Sequence, residues 1–458
     1  MDSSARPGRE RAIEPTQSAG REGDARPPPG GPPRPAIVGL GVIAAIVAII
    51  LAVILLQPQP DPVGEASPSP TTSGPSEPTE AAPSATAEAT PEPTATAVPK
   101  IAEAWTEAAV FSEPGKRYVL GDLVAWSGGF VAAGTLYEQE ARNVFGPPPP
   151  HAGVVWRSTD GNEWTDARPA VFDGIELTHL FETADGALIV IGNTYPEIDA
   201  VSAAWETNDG ETWTPVELAG VPEGASVLQV ASGAQGHIAS TYVGADAHPL
   251  YSADGRAWQP TLTEGVGITA AAAGDEGFVV SAFSTEPEGT ATQILASANG
   301  LEWLEATTPW DGGFLAAPRG GDWVATTTVF ATHGEPAADV TTWQSVNGLD
   351  WSALGEMDLA SGAVDGGPCL ESPGILHGLT AMVVAGTLLS GPCSEGAVIA
   401  AGGSYASLDG AEWTRLPFGD HAFAAGAARL GDRVVIATDA RTNQADVIGV
   451  MFWISESP

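Results

Sequence analysis

One seven-residue pattern, Ser/Thr-x-Asp/Asn-Gly-x-x-Trp, occurs six times in the C-terminal part of this chain. It reads STDGNEW at 158–164, TNDGETW at 207–213, SADGRAW at 252–258, SANGLEW at 297–303, SVNGLDW at 345–351 and SLDGAEW at 407–413. The fixed residues are Asp160, Gly161 and Trp164; Asp209, Gly210 and Trp213; Asp254, Gly255 and Trp258; Asn299, Gly300 and Trp303; Asn347, Gly348 and Trp351; and Asp409, Gly410 and Trp413. The tryptophans fall 49, 45, 45, 48 and 62 positions apart. Self-similarity at such a period marks a repeat architecture, in which each copy is one supersecondary unit. Asp-Gly or Asn-Gly between two β-like runs predicts a tight hairpin, with the glycine free to take positive φ. The Asp or Asn oxygen and the Ser or Thr hydroxyl can bond back to the turn's amides.

Further strand-like runs lie between the copies, such as GFVAAG (129–134), ALIVIGN (187–193), GFVVSAF (277–283) and RVVIATD (433–439). Each unit of about 45 residues therefore offers four short strands, the content of one propeller blade. The ends supply one more unit. Phe452-Trp453-Ile454-Ser455 looks like the strand before a motif, and Glu103-Ala104-Trp105-Thr106 like the strand after one. The expectation is an all-β, seven-bladed β-propeller of four-stranded blades over 101–458. One blade would be closed by one N-terminal and three C-terminal strands, which removes exposed edges. Composition agrees: 55 Gly, 39 Pro and 14 Trp with only 16% charged residues favour short elements and turns over long helices.

The motifs resemble those of the Asp-box (BNR-repeat) propellers of the sialidase-like superfamily, here in a membrane-anchored bacterial form. That group includes sialidases, other glycoside hydrolases, sortilin-type receptors and photosystem assembly factors. The pattern departs from the usual Ser-x-Asp-x-Gly-x-Thr-Trp by one residue fewer between Asp and Trp. The resemblance implies that each motif lies on the hairpin between a blade's third and fourth strands, away from the ligand face. It also implies a test for sialidase chemistry, which needs an Arg-Ile-Pro motif, three arginines, a Tyr–Glu pair and an Asp. No Arg-Ile-Pro occurs, and Arg157, Arg256, Arg319 and Arg415 lie on the motif side.

Upstream of the repeats the composition changes three times. Residues 1–35 carry six Arg and five acids amid Pro and Gly, and read as a disordered cytoplasmic tail. Residues 36–56 are 21 consecutive uncharged residues, AIVGLGVIAAIVAIILAVILL. As a helix they would extend about 31 Å, the thickness of a bilayer's hydrocarbon core. Residues 57–100 hold eleven Pro and twelve Ser or Thr and read as a stalk. The excess of Arg before the apolar segment predicts a cytoplasmic N-terminus and an extracytoplasmic propeller.

A net charge of −39 argues against nucleic acid as a partner. HExxH, P-loop and GxSxG motifs are absent, the seven His are scattered, and no metal or cofactor is expected. On the face opposite the motifs, the long segments 137–151 and 355–373 and the aromatic residues Tyr137, Phe145 and Trp310 are the candidates for ligand contact. Trp310 has a second reading, as packing between blades. Cys369 and Cys393, in successive loops of that face, are expected to form a disulfide in an extracytoplasmic setting. The functional expectation is a cell-surface, non-catalytic module that binds protein or glycan. The alternative is a sialidase-like glycoside hydrolase.

Overall fold

The structure is a computed structural model describing residues 105–138, 150–195, 200–263, 265–284, 292–310, 314–327, 340–357, 370–379, 382–390, 399–418, 422–441 and 447–456. Over 370–379, 382–390 and 399–403, and at a few strand ends, only the backbone is described. The tail, apolar segment and stalk (1–35, 36–56, 57–100), together with Phe145, Cys369 and Cys393, lie outside the described residues. Among the described residues no helix is long and apolar enough to cross a membrane.

The fold is an all-β propeller built from seven antiparallel sheets. The chain enters through β1 (Thr106–Ser112) and then lays down sheet after sheet. Blade 1 is β2 (Arg117–Trp126), β3 (Gly129–Tyr137), β4 (His151–Ser158) and β5 (Thr165–Ala167). Blade 2 is β6 (Glu176–Glu182), β7 (Leu188–Thr194), β8 (Val201–Thr207) and β9 (Thr214–Val216). Blade 3 is β10 (Ser226–Gly233), β11 (Gly236–Val243), the short β12 (Asp246–Ala247), β13 (Leu250–Ser252) and β14 (Gln259–Pro260). Blade 4 is β15 (Val266–Gly274), β16 (Gly277–Ser284), β17 (Thr292–Ser297) and β18 (Leu304–Glu305). Blade 5 is β19 (Phe314–Arg319), β20 (Asp322–Thr327), β21 (Val340–Ser345) and β22 (Ser352–Met357). Blade 6 is β23 (Leu370–Leu379), β24 (Met382–Ser390), β25 (Ile399–Ser407) and β26 (Thr414–Arg415). The last sheet has the order β1-β29-β28-β27, from β27 (Ala422–Leu430), β28 (Arg433–Arg441) and β29 (Val447–Glu456).

The first strand of each sheet packs against the first strand of the next, and β27 returns to β2, so the sequence of contacts closes on itself. β1 is the outermost strand of the seventh sheet, pairing Thr106 with Ile454 and Ser112 with Gly449. It covers the edge that β29 would otherwise expose.

The core lies between sheets rather than within them. Phe130, Leu136 and Trp156 of blade 1 cluster with Val435, Val450 and Phe452 of blade 7. Equivalent clusters join blades 1 and 2, 2 and 3, 3 and 4, and 4 and 5. This follows from the sequence: strands with apolar residues on both faces are buried on both faces by their neighbours.

Each seven-residue motif forms the hairpin between the third and fourth strands of its blade. Asp160 Oδ1 accepts from the amides of Asn162 (2.8 Å) and Glu163 (3.0 Å), and Ser158 Oγ accepts from Gly161 N (2.7 Å). Asp209, Asp254 and Asp409 repeat the arrangement, as do Asn299 and Asn347 with their amide oxygens. The six motif glycines have φ between 70° and 82°. The turns also press against the preceding blade. A Cβ on Gly161 would stand 2.6 Å from Ile454 Cδ1, and one on Gly300 would stand 2.2 Å from Tyr251 Cδ2. The Trp follows the same direction: Trp164 stacks on Phe452 of blade 7 with ring centroids 3.9 Å apart.

Candidate functional site

A propeller has two ends. Here one carries the motif hairpins and the turns between first and second strands. The other carries the loops between second and third strands and the connections to the next blade. Among the described residues, a cluster of polar and aromatic side chains gathers at this second end at the seam of blades 1 and 2.

Strand register sets the first row. Arg117 at the start of β2 pairs with Tyr137 at the end of β3, which pairs with His151 at the start of β4. Arg117 places its guanidinium carbon 4.2 Å above the Tyr137 ring, a cation–π contact. The connection from blade 1 to blade 2 is fastened by a bridge between Ala152 and Asp173 and by the bond from Gly174 N to His151 O (2.9 Å). This brings the first residue of β6, Glu176, next to Tyr137. The Tyr137 hydroxyl donates to Glu176 Oε1 at 2.6 Å, and Tyr195, just past β7, donates to Glu176 Oε2.

A second group adjoins it at the start of blade 1. Glu113 accepts from the Tyr118 hydroxyl and from Arg168 Nη2, and Lys116 Nζ lies 3.0 Å away. Arg168 Nη2 also donates to Tyr118 Oη (2.6 Å), and Lys116 lies 3.4 Å from Glu138.

The electrostatics limit what these groups can do. Burial, reinforced by the Glu176 carboxylate, pushes the Tyr137 phenol far above its ordinary value despite the opposing Arg117 charge. Tyr137 is therefore a persistent O–H donor, whereas a phenolate nucleophile needs its pKa lowered. Burial likewise raises Tyr118, with the bond to Glu113 adding to it. Hydrogen bonds from Tyr118, Arg168 and Lys116 hold Glu113 down at about 2. A general acid for glycoside cleavage needs a carboxyl held protonated near neutrality, the reverse of this. Among the described residues no group of three or more His, Cys, Asp or Glu is placed to hold a metal ion.

The aromatic candidates take different places. Tyr137 belongs to the site but is only 7% exposed, so it presents a hydroxyl edge rather than a ring face. Trp310, in the connection from blade 4 to blade 5, is turned into the core of blade 5. Its ring lies 4.5 Å from that of Trp343 and 5.8 Å from that of Trp351. The loop crosses the seam above two indoles, and covering them buries more apolar surface than exposing a third. Arg157 and Arg256 sit on the motif face and tie blades together. Arg157 reaches Glu211 (3.1 Å), and Arg256 reaches Glu206 and Asp185 (2.8 Å each).

Sequence reasoning missed Arg117, Glu176 and Tyr195. The available signal was position: each stands at a strand end on the face opposite the motifs, in the blades flanking the long segment after Tyr137.

No protein-family model matches the chain, and no curated protein matches it. Among solved structures it is similar to a protein of unknown function from Dyadobacter fermentans, at 14% identity and TM-score 0.42, covering 78% of this chain and 99% of that one. It is similar to the β-propeller domain of the Trilobed protease from Pyrococcus furiosus, at 10% identity and TM-score 0.43, over 75% and 98% of the two chains. It is also similar to the Trypanosoma rangeli sialidase in complex with sialic acid, at 13% identity and TM-score 0.38, covering 78% of this chain and 58% of that one.

Proposed function

We propose that this chain is a membrane-anchored, extracytoplasmic propeller of the Asp-box type, acting as a non-catalytic binding or assembly module for protein or glycan at the cell surface. The observation that carries the reading is the state of the mouth at blades 1 and 2. Glu176 and Glu113 are committed to tyrosine and arginine donors, and Tyr137 and Tyr118 are held protonated. Such a set offers fixed hydroxyl donors and a guanidinium for recognition.

The anchor is residues 36–56 and the spacer residues 57–100. Strand direction supports this arrangement. β1 runs antiparallel to β29, so Trp105, where the described chain begins, stands at the motif end. In this reading Cys369 and Cys393 form a disulfide on the mouth side. Labelling the unreduced, denatured chain then finds no free thiol, and two free thiols per chain refute the pairing.

The decisive experiment is to present the purified chain to glycan arrays and to a panel of fluorogenic glycosides. Saturable binding without turnover is the expected result. Turnover abolished by Glu176→Gln would replace the reading with a sialidase-like hydrolase.

A further inference from the structure

Among the described residues, five large apolar side chains are strongly exposed: Val110, Leu228, Leu301, Leu304 and Val346. Three of them, Leu301, Leu304 and Val346, belong to the motif face of blades 4 and 5. Leu304 is 62% exposed and Val346 is 72% exposed. Leu304 lines a cleft of about 250 Å³ that runs from Asn299 of blade 4 to Asn347 and Leu349 of blade 5, with Phe278 and Trp323 beneath; Val346 directly precedes Asn347 in the chain. The segment just after β18 is tied to the blade 5 motif by the bond from Thr307 N to Leu349 O (2.8 Å).

The turn does not require this chemistry. Asn299 and Asn347 accept the same two amides, at 2.9–3.0 Å, that the aspartates of the other four motifs accept. After the glycine those four carry Asn162, Glu211, Arg256 and Ala411, whereas these two carry Leu301 and Leu349. The two adjacent motifs therefore carry an amide where the others carry a carboxylate, and leucine at a position that is polar in three of the other four. Exposed apolar surface beside a cleft of this kind marks an interaction site.

Charge narrows the occupant. From residue 266 to 357 the chain has a single cation, Arg319, which lies 3.7 Å from Asp322. Asp275, Glu276, Glu302, Glu305 and Asp350 stand exposed in the two blades. A second copy carrying the same net charge of −39 is repelled, and so is an anionic lipid surface. We propose that the seam of blades 4 and 5 on the motif face docks a partner protein's segment that presents an apolar anchor residue flanked by Lys or Arg. The anchor fills the cleft, while the acidic rim selects and steers it. The proposal rests on neither the mouth nor the membrane anchor, so it and the function proposed above stand or fall separately.

The test uses the full chain in zwitterionic nanodiscs and fluorescein-labelled synthetic peptides followed by anisotropy, with empty discs as blank. The peptides are Lys-Arg-Leu-Leu-Arg-Lys, the same with both Leu replaced by Ser, and the same with every cation replaced by Glu. Only the first is expected to bind. The double variant Leu304→Ser/Val346→Ser weakens it at least tenfold, while Val110→Ser and Leu228→Ser leave it unchanged; all four positions are exposed, and melting curves verify folding. Equal binding of the Ser peptide, or an undiminished double variant, overturns the proposal. So does a concentration-dependent dimer, or flotation with phosphatidylcholine vesicles, that the double variant abolishes, since either identifies a different occupant.

Discussion

Replacing Gly300 by Ala tests whether the motif hairpins wedge successive blades together. Gly300 has φ of 73°, and a Cβ there would stand 2.2 Å from Tyr251 Cδ2 and 3.1 Å from Phe278 Cε2. Tyr251 is 8% exposed and its hydroxyl donates to Gln235 O at 2.9 Å, so the ring moves only by giving up that bond. The matched control is Gly224, with φ of 74° and nothing within 4 Å of its would-be Cβ. Both substitutions place alanine in the left-handed region at about 1–2 kcal/mol, partly offset by a stiffer unfolded chain. That contribution cancels between them.

What remains for Gly300→Ala is overpacking, about 1–3 kcal/mol, and the disturbed tyrosine bond, about 1 kcal/mol. The expected gap between the variants is therefore about 2–4 kcal/mol, roughly 3–6 °C in Tm for a cooperative unit of this size. Urea and thermal unfolding of both variants measure it. A gap below about 0.5 kcal/mol would refute the wedge and reduce the hairpins to local turns.

Trp164→Ala should cost about 2–3 kcal/mol by thermal unfolding, because the indole stacks on Phe452 and joins blade 1 to blade 7. Deleting residues 101–112 removes β1 and uncovers β29, so light scattering should report association of a destabilised chain at a concentration where the intact one is monodisperse. Burial holds His237 neutral, its pKa lowered to about 4 from the ordinary 6.5, so the unfolded chain binds its proton first as pH falls. The contribution of His237 is thus intact above about 6.5 and lost progressively toward pH 4, by about 3 kcal/mol; His237→Gln should lower the slope of stability against pH by one proton there. Arg256→Ala should cost under about 1 kcal/mol and only at low salt, since its pairs with Glu206 and Asp185 are solvent-accessible.

Much of this fold was legible because the motif states its own geometry. Asp-Gly or Asn-Gly with a preceding hydroxyl specifies the hairpin, and six copies at near-constant spacing specify a ring of equivalent units. The half-motifs at Trp105 and Ser455 specified which strands complete the last sheet. The mouth was less legible. Tyr137 meets Glu176 only because blade 2 begins where the second strand of blade 1 ends, and that adjacency is a property of the closed ring. Trp310 shows the same limit from the other side. Its sequence neighbours, Pro309 and Asp311, suggest an exposed loop, while Trp343, which decides its position, is a strand of another blade away. The register irregularities that bring Asp122 Oδ2 to the amide of Leu180 (3.0 Å) on the next inner strand left no trace in composition either.

The two ends of the propeller differ in how freely they can be rewritten. On the motif face the first, third, fourth and seventh positions are fixed by hydrogen bonds, by positive φ and by contact with the preceding blade. The second, fifth and sixth positions remain. Asn162, Glu163, Val346 and Leu301 all project into solvent from identical turns, so their side chains change surface chemistry at almost no cost to folding. A surface such as the seam of blades 4 and 5 can therefore be set by substitutions within a repeated turn. On the mouth face the candidate side chains stand at strand ends, and their partners come from a neighbouring blade. A change at Glu176 strands two hydroxyls, and a change at Tyr137 uncovers the Arg117 guanidinium. Any substitution at the mouth is thus coupled to the joint between blades 1 and 2, whereas the exposed turn positions of blades 4 and 5 can change alone.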